Sequence, residues 1–206
     1  MSADASTLPD APFVVLSRET VWRGFCRVER IVFDRRTASG GAHRHTFEIE
    51  SHGHAAAVLP YDPVRREAVL VRQLRLPQAL DGEDPMSLEI VAGLLDVAGE
   101  GPEATVRREA HEEAGLELGA VELVAATRPS PGLGAEKVWI YLAEVDLDRA
   151  RIADGGGLAH EGEEIEVVVL PLAELARLTD EGRLDLKTLF AAQTLRVKRP
   201  ELFATG

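Results

Sequence analysis

A chain of 206 residues, 45% of them hydrophobic, can fill the core of one full domain with a smaller appendage, while two large unrelated domains would be cramped. The formal net charge of −12 argues against a binder of nucleic-acid phosphates, which needs a basic surface, and implies that an anionic substrate is met together with a cation. The single cysteine, Cys26, reads as a small core residue and excludes a disulfide framework or multi-thiolate zinc site; with no secretory leader and no apolar run of membrane-spanning length, a soluble cytoplasmic protein is expected.

From Phe13 to Glu50, β-branched and aromatic residues alternate with polar ones around the turn signal Ala38–Ala42, which predicts three short strands. Three strands make a poor core alone, so this sheet is expected to pack on other protein, from the same chain or a second copy. A hairpin follows between His54 and Leu76, punctuated at Asp62-Pro63. The stretch "SLEIVAGLLDVAGEGPEATVRREAHEEAGLEL" passes from a strand through a glycine-rich loop into a helix. Pro102 suits a first helical position and Gly115 a helix stop, which predicts a helix from Pro102 to about Ala114. Strands at 121–128 and 137–145, a glycine-rich acidic loop at 154–164, a strand at 165–172 and two helical segments from 172 and 185 complete a mixed α/β order.

The helix "PEATVRREAHEEA" poses a problem of charge. At 3.6 residues per turn, Glu113 lies about 40° and Glu112 about 60° to either side of Glu109, so three acids share one stripe beside Val106 and Ala110. Like charges at this spacing repel, and acids in the last turn oppose the helix dipole. Glu103 with Arg107 and Arg108 with Glu112 relieve part of this, but neither pair neutralises Glu109 and Glu113. Two readings remain open on these residues alone: a solvated acidic face, or oxygen ligands for a hard divalent cation.

The longer stretch from Gly93 to Leu116, "GLLDVAGEGPEATVRREAHEEAGL", resembles the signature of the Nudix hydrolases. It departs once: six residues rather than five separate Gly93 from Glu100, which implies a bulge within "DVAGEG" and leaves the loop's shape and the role of Glu100 open. The blocks "SRETVWRGF", "GHAAAVLPYDPVRREAVLVRQLR", "LEIVAGLLD", "SPG" and "GLAHEGEEIEV" are similar, in the same order, to the ADP-ribose pyrophosphatase branch. The resemblance implies an α/β/α sandwich with mixed sheet, residues 54–206, preceded by a small antiparallel β domain, residues 1–53, that makes a homodimer.

It also implies residue roles. Glu109 and Glu113 become metal ligands with the Ala92 carbonyl, Glu112 lies near the metal, Glu161 is the candidate general base and Glu163 a further ligand, with Glu164 a substitute for either. Mg²⁺ is the implied cofactor and Mn²⁺ a substitute. Arg75 can meet a substrate phosphate with its planar fork. The implied reaction is hydrolysis of ADP-ribose to AMP and ribose 5-phosphate. GDP-mannose hydrolysis is the rival, because "VLVRQLR", "AGLLD" and the triple glycine also look like that group. A non-catalytic nucleotide sensor is the alternative from another class, although such a protein would have lost its acids. Where relatives carry basic residues before "GHA", this chain has Glu50, Ser51 and His52.

Among other features, His43, His45, His52 and His54 form two His-x-His pairs that could serve zinc but have no thiolate partner. Trp139 and Tyr141 read as strand residues with one buried and one exposed face, and Trp22 and Phe25 as candidate base-stacking residues.

Overall fold

The computed structural model describes residues 12–150 and 164–204. Of these, the residues up to Gly53 together with Ser130–Glu136 form one compact unit, and His54–Pro129 with the described residues from Lys137 onward form another.

The first unit is a three-stranded antiparallel sheet of β1 (Phe13–Arg23), β2 (Arg27–Arg36) and β3 (Ala42–Ser51), in that order. Its strands, 11, 10 and 10 residues long, exceed the short strands expected from sequence. Cross-strand pairs account for their length. Phe33 stacks on His45 at 5.3 Å and meets Phe13 and Phe47 edge-on, while Arg18 and Arg27 reach the buried Glu29. Residues 130–136 join the outer edge of β3 through Glu50 N–H to Leu133 O (3.1 Å) and Ala135 N–H to Glu50 O (2.8 Å). Cys26 is half-buried here and not a core residue.

The second unit is a mixed seven-stranded sheet between helices. Its main path runs β10 (Glu166–Pro171), β5 (Glu67–Leu74), β4 (Ala55–Asp62), β9 (Val138–Glu144), β8 (Val121–Thr127), with β4 and β9 parallel and the other pairs antiparallel. On one face α2 (Pro102–Ala114) buries Val106, Ala110 and Ala114 against Ala56, Val58, Val69 and Tyr141. On the other, α4 (Leu172–Asp180) and α5 (Leu186–Lys198) bury Leu172, Leu175, Ala191 and Leu195 against Leu59, Leu70, Ile140 and Leu142. This is an α/β/α sandwich, and a single helical turn, α3 (Leu147–Ala150), follows β9. Both faces of β9 are therefore covered, so Trp139 and Tyr141 line the α2 side and Ile140 the opposite one, contrary to the expected exposed face. Among the described residues no helix is long and apolar enough to cross a membrane.

One detail of the sheet creates the site. β4 and β5 pair only at Tyr61–Ala68 and Asp62–Glu67, beside the turn at Pro63–Arg66, and then diverge. The gap takes two short strands, β6 (Met86–Glu89) on β5 and β7 (Val91–Leu94) on β4. The strand expected before the glycine-rich loop is thus broken at Ile90. Its N–H leaves the ladder for the Thr188 hydroxyl at 2.8 Å, a buried donor met by a side chain of α5. A short helix, α1 (Leu76–Leu80), connects β5 to β6 and was not expected from sequence.

Candidate active site

α2 starts and stops where sequence chemistry places it. Pro102 follows an extended Gly101, and Gly115 turns left-handed at φ 64, its N–H bonding to the His111 carbonyl while Leu116 N–H reaches that of Ala110. Leu116 is then buried, which fixes the roll of the last turn. With Val106 and Ala110 against the sheet, the stripe Glu109, Glu112, Glu113 is carried to β7.

There the backbone and the acids meet closely. A side-chain carbon added to Gly93 would lie 1.8 Å from Glu109 Oε1 and 2.0 Å from its carboxyl carbon, so the carboxylate occupies the space that only glycine leaves open. Ala92 N–H donates to Glu113 Oε2 at 3.3 Å, and Glu113 is 5% exposed. Glu112 stays half-exposed at the rim. The solvated acidic face is therefore the wrong picture for Glu113.

Arg108 answers the charge problem further than the sequence suggested. Its Nη1 donates to Glu109 Oε1 at 2.7 Å and to Glu112 Oε2 at 2.9 Å, and its Nε to Glu100 Oε2 at 3.2 Å. Burial works against the guanidinium's charge, but Glu109, Glu112 and Glu100 outweigh it and raise its pKa. Its Nη2 is buried with no hydrogen-bond partner among the described residues, 4.0 Å from an Asp96 oxygen. The extra residue of the loop is absorbed in a turn closed by Glu100 N–H to Val97 O, with Gly99 at φ 86. Glu100 itself faces Arg108 and Thr105.

The arrangement suits a hard cation. Two carboxylate oxygens converge on a single positively charged nitrogen, and the β7 backbone lies against a third and buried carboxylate. Among the described residues, no three His, Cys, Asp or Glu side chains alone form a group able to hold a metal ion. Glu161 and Glu163, expected to complete the set, lie outside the described residues, and Glu164 is exposed at the edge of them.

Arg75 follows directly on β5 and is not a free surface arginine. Its Nε and Nη2 donate to Glu89 at 2.7 and 2.9 Å, and Lys187 Nζ lies 3.5 Å from the same carboxylate. Glu89 is 3% exposed; burial raises its pKa, but the bonds and charges of Arg75 and Lys187, with Ser87, prevail and hold it at about 2. Sequence reasoning missed Glu89 and Lys187, which are separated by 98 residues and carry no spacing signal.

The histidine pairs do not make zinc sites among the described residues. His52 stacks on the ring of Phe25 at 6.2 Å and bridges Glu50 (2.8 Å) and Glu136 (3.6 Å), while His54 faces Trp139 and accepts from the Lys137 N–H. Phe25 and Trp22 are exposed in the first unit.

A family model described as the NUDIX domain matches residues 51–192, which span β4 to β10, the whole of α2 and most of α5. The chain belongs to the Nudix family. Within this family of hydrolases, generally dependent on a divalent metal, it is 38% identical over 191 residues to the ADP-ribose pyrophosphatase of Escherichia coli strain K12, covering 91% of this chain and 90% of that one. It is 36% identical over 173 residues to the GDP-mannose pyrophosphatase of Cronobacter sakazakii, covering 83% and 88%. A solved structure described as an ADP compounds hydrolase shares the Nudix fold, with a TM-score of 0.69 at 21% identity over 93% of this chain and 96% of that one. The assignment as a Nudix hydrolase sets aside the non-catalytic sensor.

Proposed function

We propose that this Nudix hydrolase cleaves the pyrophosphate linkage of a nucleoside diphosphate sugar, with ADP-ribose as preferred substrate and AMP and ribose 5-phosphate as products. The observation that carries the reading is the convergence of Glu109 and Glu112 on one cationic nitrogen beside the Gly93 backbone, with Glu113 buried behind them. In a chain of net charge −12, such a set must be paired with cations before it can accept a pyrophosphate.

Glu109, Glu113 and the Ala92 carbonyl would hold Mg²⁺, for which Mn²⁺ can substitute, with Glu112 at the rim and Glu163 as a further ligand. Bound there, the metal supplies charge neutralisation for the pyrophosphate and polarises the phosphorus under attack. Arg75 presents guanidinium N–H groups to a phosphate. Glu161, or Glu164 in its place, takes a proton from water as the water oxygen bonds to phosphorus and the bridging P–O bond breaks. Residues 1–53 serve as a dimerisation domain for the catalytic domain 54–206; exposed Val14, Leu16, Trp22, Phe25 and Phe47 support a homodimer. The setting is the cytoplasm, with no nucleic-acid or membrane partner.

Turnover of a nucleotide-sugar panel in Mg²⁺, read by phosphatase-coupled phosphate release, tests this. ADP-ribose is expected to show the highest kcat/KM. Preference for GDP-mannose would favour the second reading, which the similarity to GDP-mannose pyrophosphatases supports; no turnover of any nucleotide sugar would overturn both.

A further inference from the structure

Glu89 is a buried carboxylate with no part in the chemistry above. It ends β6, one residue before the break at Ile90, and receives both Nε (2.7 Å) and Nη2 (2.9 Å) of Arg75. The two side chains differ sharply in exposure, 4% for Glu89 and 44% for Arg75, so one edge of the guanidinium is anchored inside the protein while the rest reaches outward. A guanidinium has five N–H donors; two are committed to Glu89, which leaves three for a ligand.

The anchor is itself held. Lys187 Nζ lies 3.5 Å from Glu89 Oε2 and bonds Asp185 Oδ2. The other Asp185 oxygen caps α5 by accepting Thr188 N–H at 2.8 Å, and the Thr188 hydroxyl accepts the N–H of Ile90, the neighbour of Glu89. The first turn of α5 thus fixes Glu89 through its side chain and its backbone. Enclosing a carboxylate costs it hydration, and apolar side chains of equal volume fill such a place more favourably. A surface arginine needs no such anchor. An arginine that must meet a planar, doubly charged ligand in one orientation does, because a pre-set fork loses less side-chain freedom on binding.

We propose that Glu89 is a positioning residue: by gripping the Nε edge of Arg75 it presents the remaining N–H groups to the diphosphate of the substrate, and Lys187 with the first turn of α5 keeps Glu89 in place. This rests on the proposed reading of Arg75 as a phosphate ligand. The experiment measures ADP-ribose turnover and, independently of turnover, calorimetric binding of α,β-methylene-ADP, for the wild-type chain, Glu89→Gln, Arg75→Ala and the double variant.

Glu89→Gln is expected to raise KM and the Kd of α,β-methylene-ADP by about tenfold, with a smaller fall in kcat; added to Arg75→Ala it changes them less than about twofold, because its effect passes through the arginine. An unchanged KM and Kd in Glu89→Gln, or an equal penalty with and without Arg75, overturns the inference. Should Glu89→Gln fail to fold, Lys187→Met leaves Arg75 and Glu89 intact and is expected to weaken binding about threefold; unchanged affinity overturns the inference. A wild-type chain that turns over no nucleotide sugar defeats the proposed function, while the binding cycle still reads the Glu89–Arg75 coupling. A wild-type chain that hydrolyses ADP-ribose but binds no α,β-methylene-ADP overturns the inference and leaves the proposed function standing.

Discussion

Gly93→Ala isolates the position of one carboxylate. Gly93 is not among the residues with positive φ, so its backbone accepts an alanine, and the nearest obstacle is the Glu109 side chain. The new methyl carbon would start 1.8 Å from Glu109 Oε1, where ordinary contact begins at 3.4 Å, so the carboxylate must retreat by about 1.6 Å. It sits at the end of a flexible chain and can swing. The stability cost therefore stays at about 1–2 kcal/mol, a fall in Tm of about 2–8 °C for a chain of this size. Catalysis is less forgiving: a displacement of about 1 Å can cost about 100-fold, or about 2.7 kcal/mol of transition-state stabilisation. The expected result is a fall in kcat/KM on ADP-ribose of at least about 100-fold in the coupled assay, with a Tm near that of the wild type. A variant within about fivefold of wild-type kcat/KM refutes the assignment of Glu109. A Tm drop beyond about 15 °C would instead place the effect in folding.

Three further outcomes follow from the same geometry. Glu113→Gln keeps the volume of a nearly buried side chain but removes its charge, so turnover should fall by about 100-fold or more, mainly in kcat, with circular dichroism unchanged. Addition of Mg²⁺ at about a hundred times its Kd should stabilise the native chain by about 2.7 kcal/mol and raise Tm by about 5–10 °C in a thermal shift assay, and by less in Glu113→Gln. Glu89, held at about 2 when folded against 4.5 unfolded, contributes stability that is complete above about pH 4.5 and is lost as pH falls toward 2. Urea unfolding across that window should show a loss of about 3 kcal/mol that Glu89→Gln lacks.

Local chemistry made much of this legible. α2 was placed residue by residue because its signals, Pro102 and Gly115, act within one turn, and the acid stripe followed from helical period. The mixed α/β order followed from the strand and helix patterns, and the resemblance to the Nudix hydrolases implied the α/β/α layers. What sequence could not supply were pairings across distance. The break at Ile90 depends on Thr188, and Arg75 is gripped by Glu89 and, beyond it, Lys187, contacts that tertiary folding creates and spacing does not announce. Arg108 is intermediate: its i,i+4 bond to Glu112 was readable, whereas the bond to Glu100 depends on how the loop turns back over the helix. The second acidic cluster, with Glu161 and Glu163, lies outside the described residues, so those two roles stand on sequence alone.

The most direct test of the central claim is anomalous diffraction from crystals grown with Mn²⁺ and α,β-methylene-ADP. The account predicts a manganese peak between the ligand's phosphates and the carboxylates of Glu109 and Glu113, with the Ala92 carbonyl in its coordination sphere. A well-ordered ligand with no anomalous peak beside those carboxylates, or a peak only elsewhere on the protein, would contradict it.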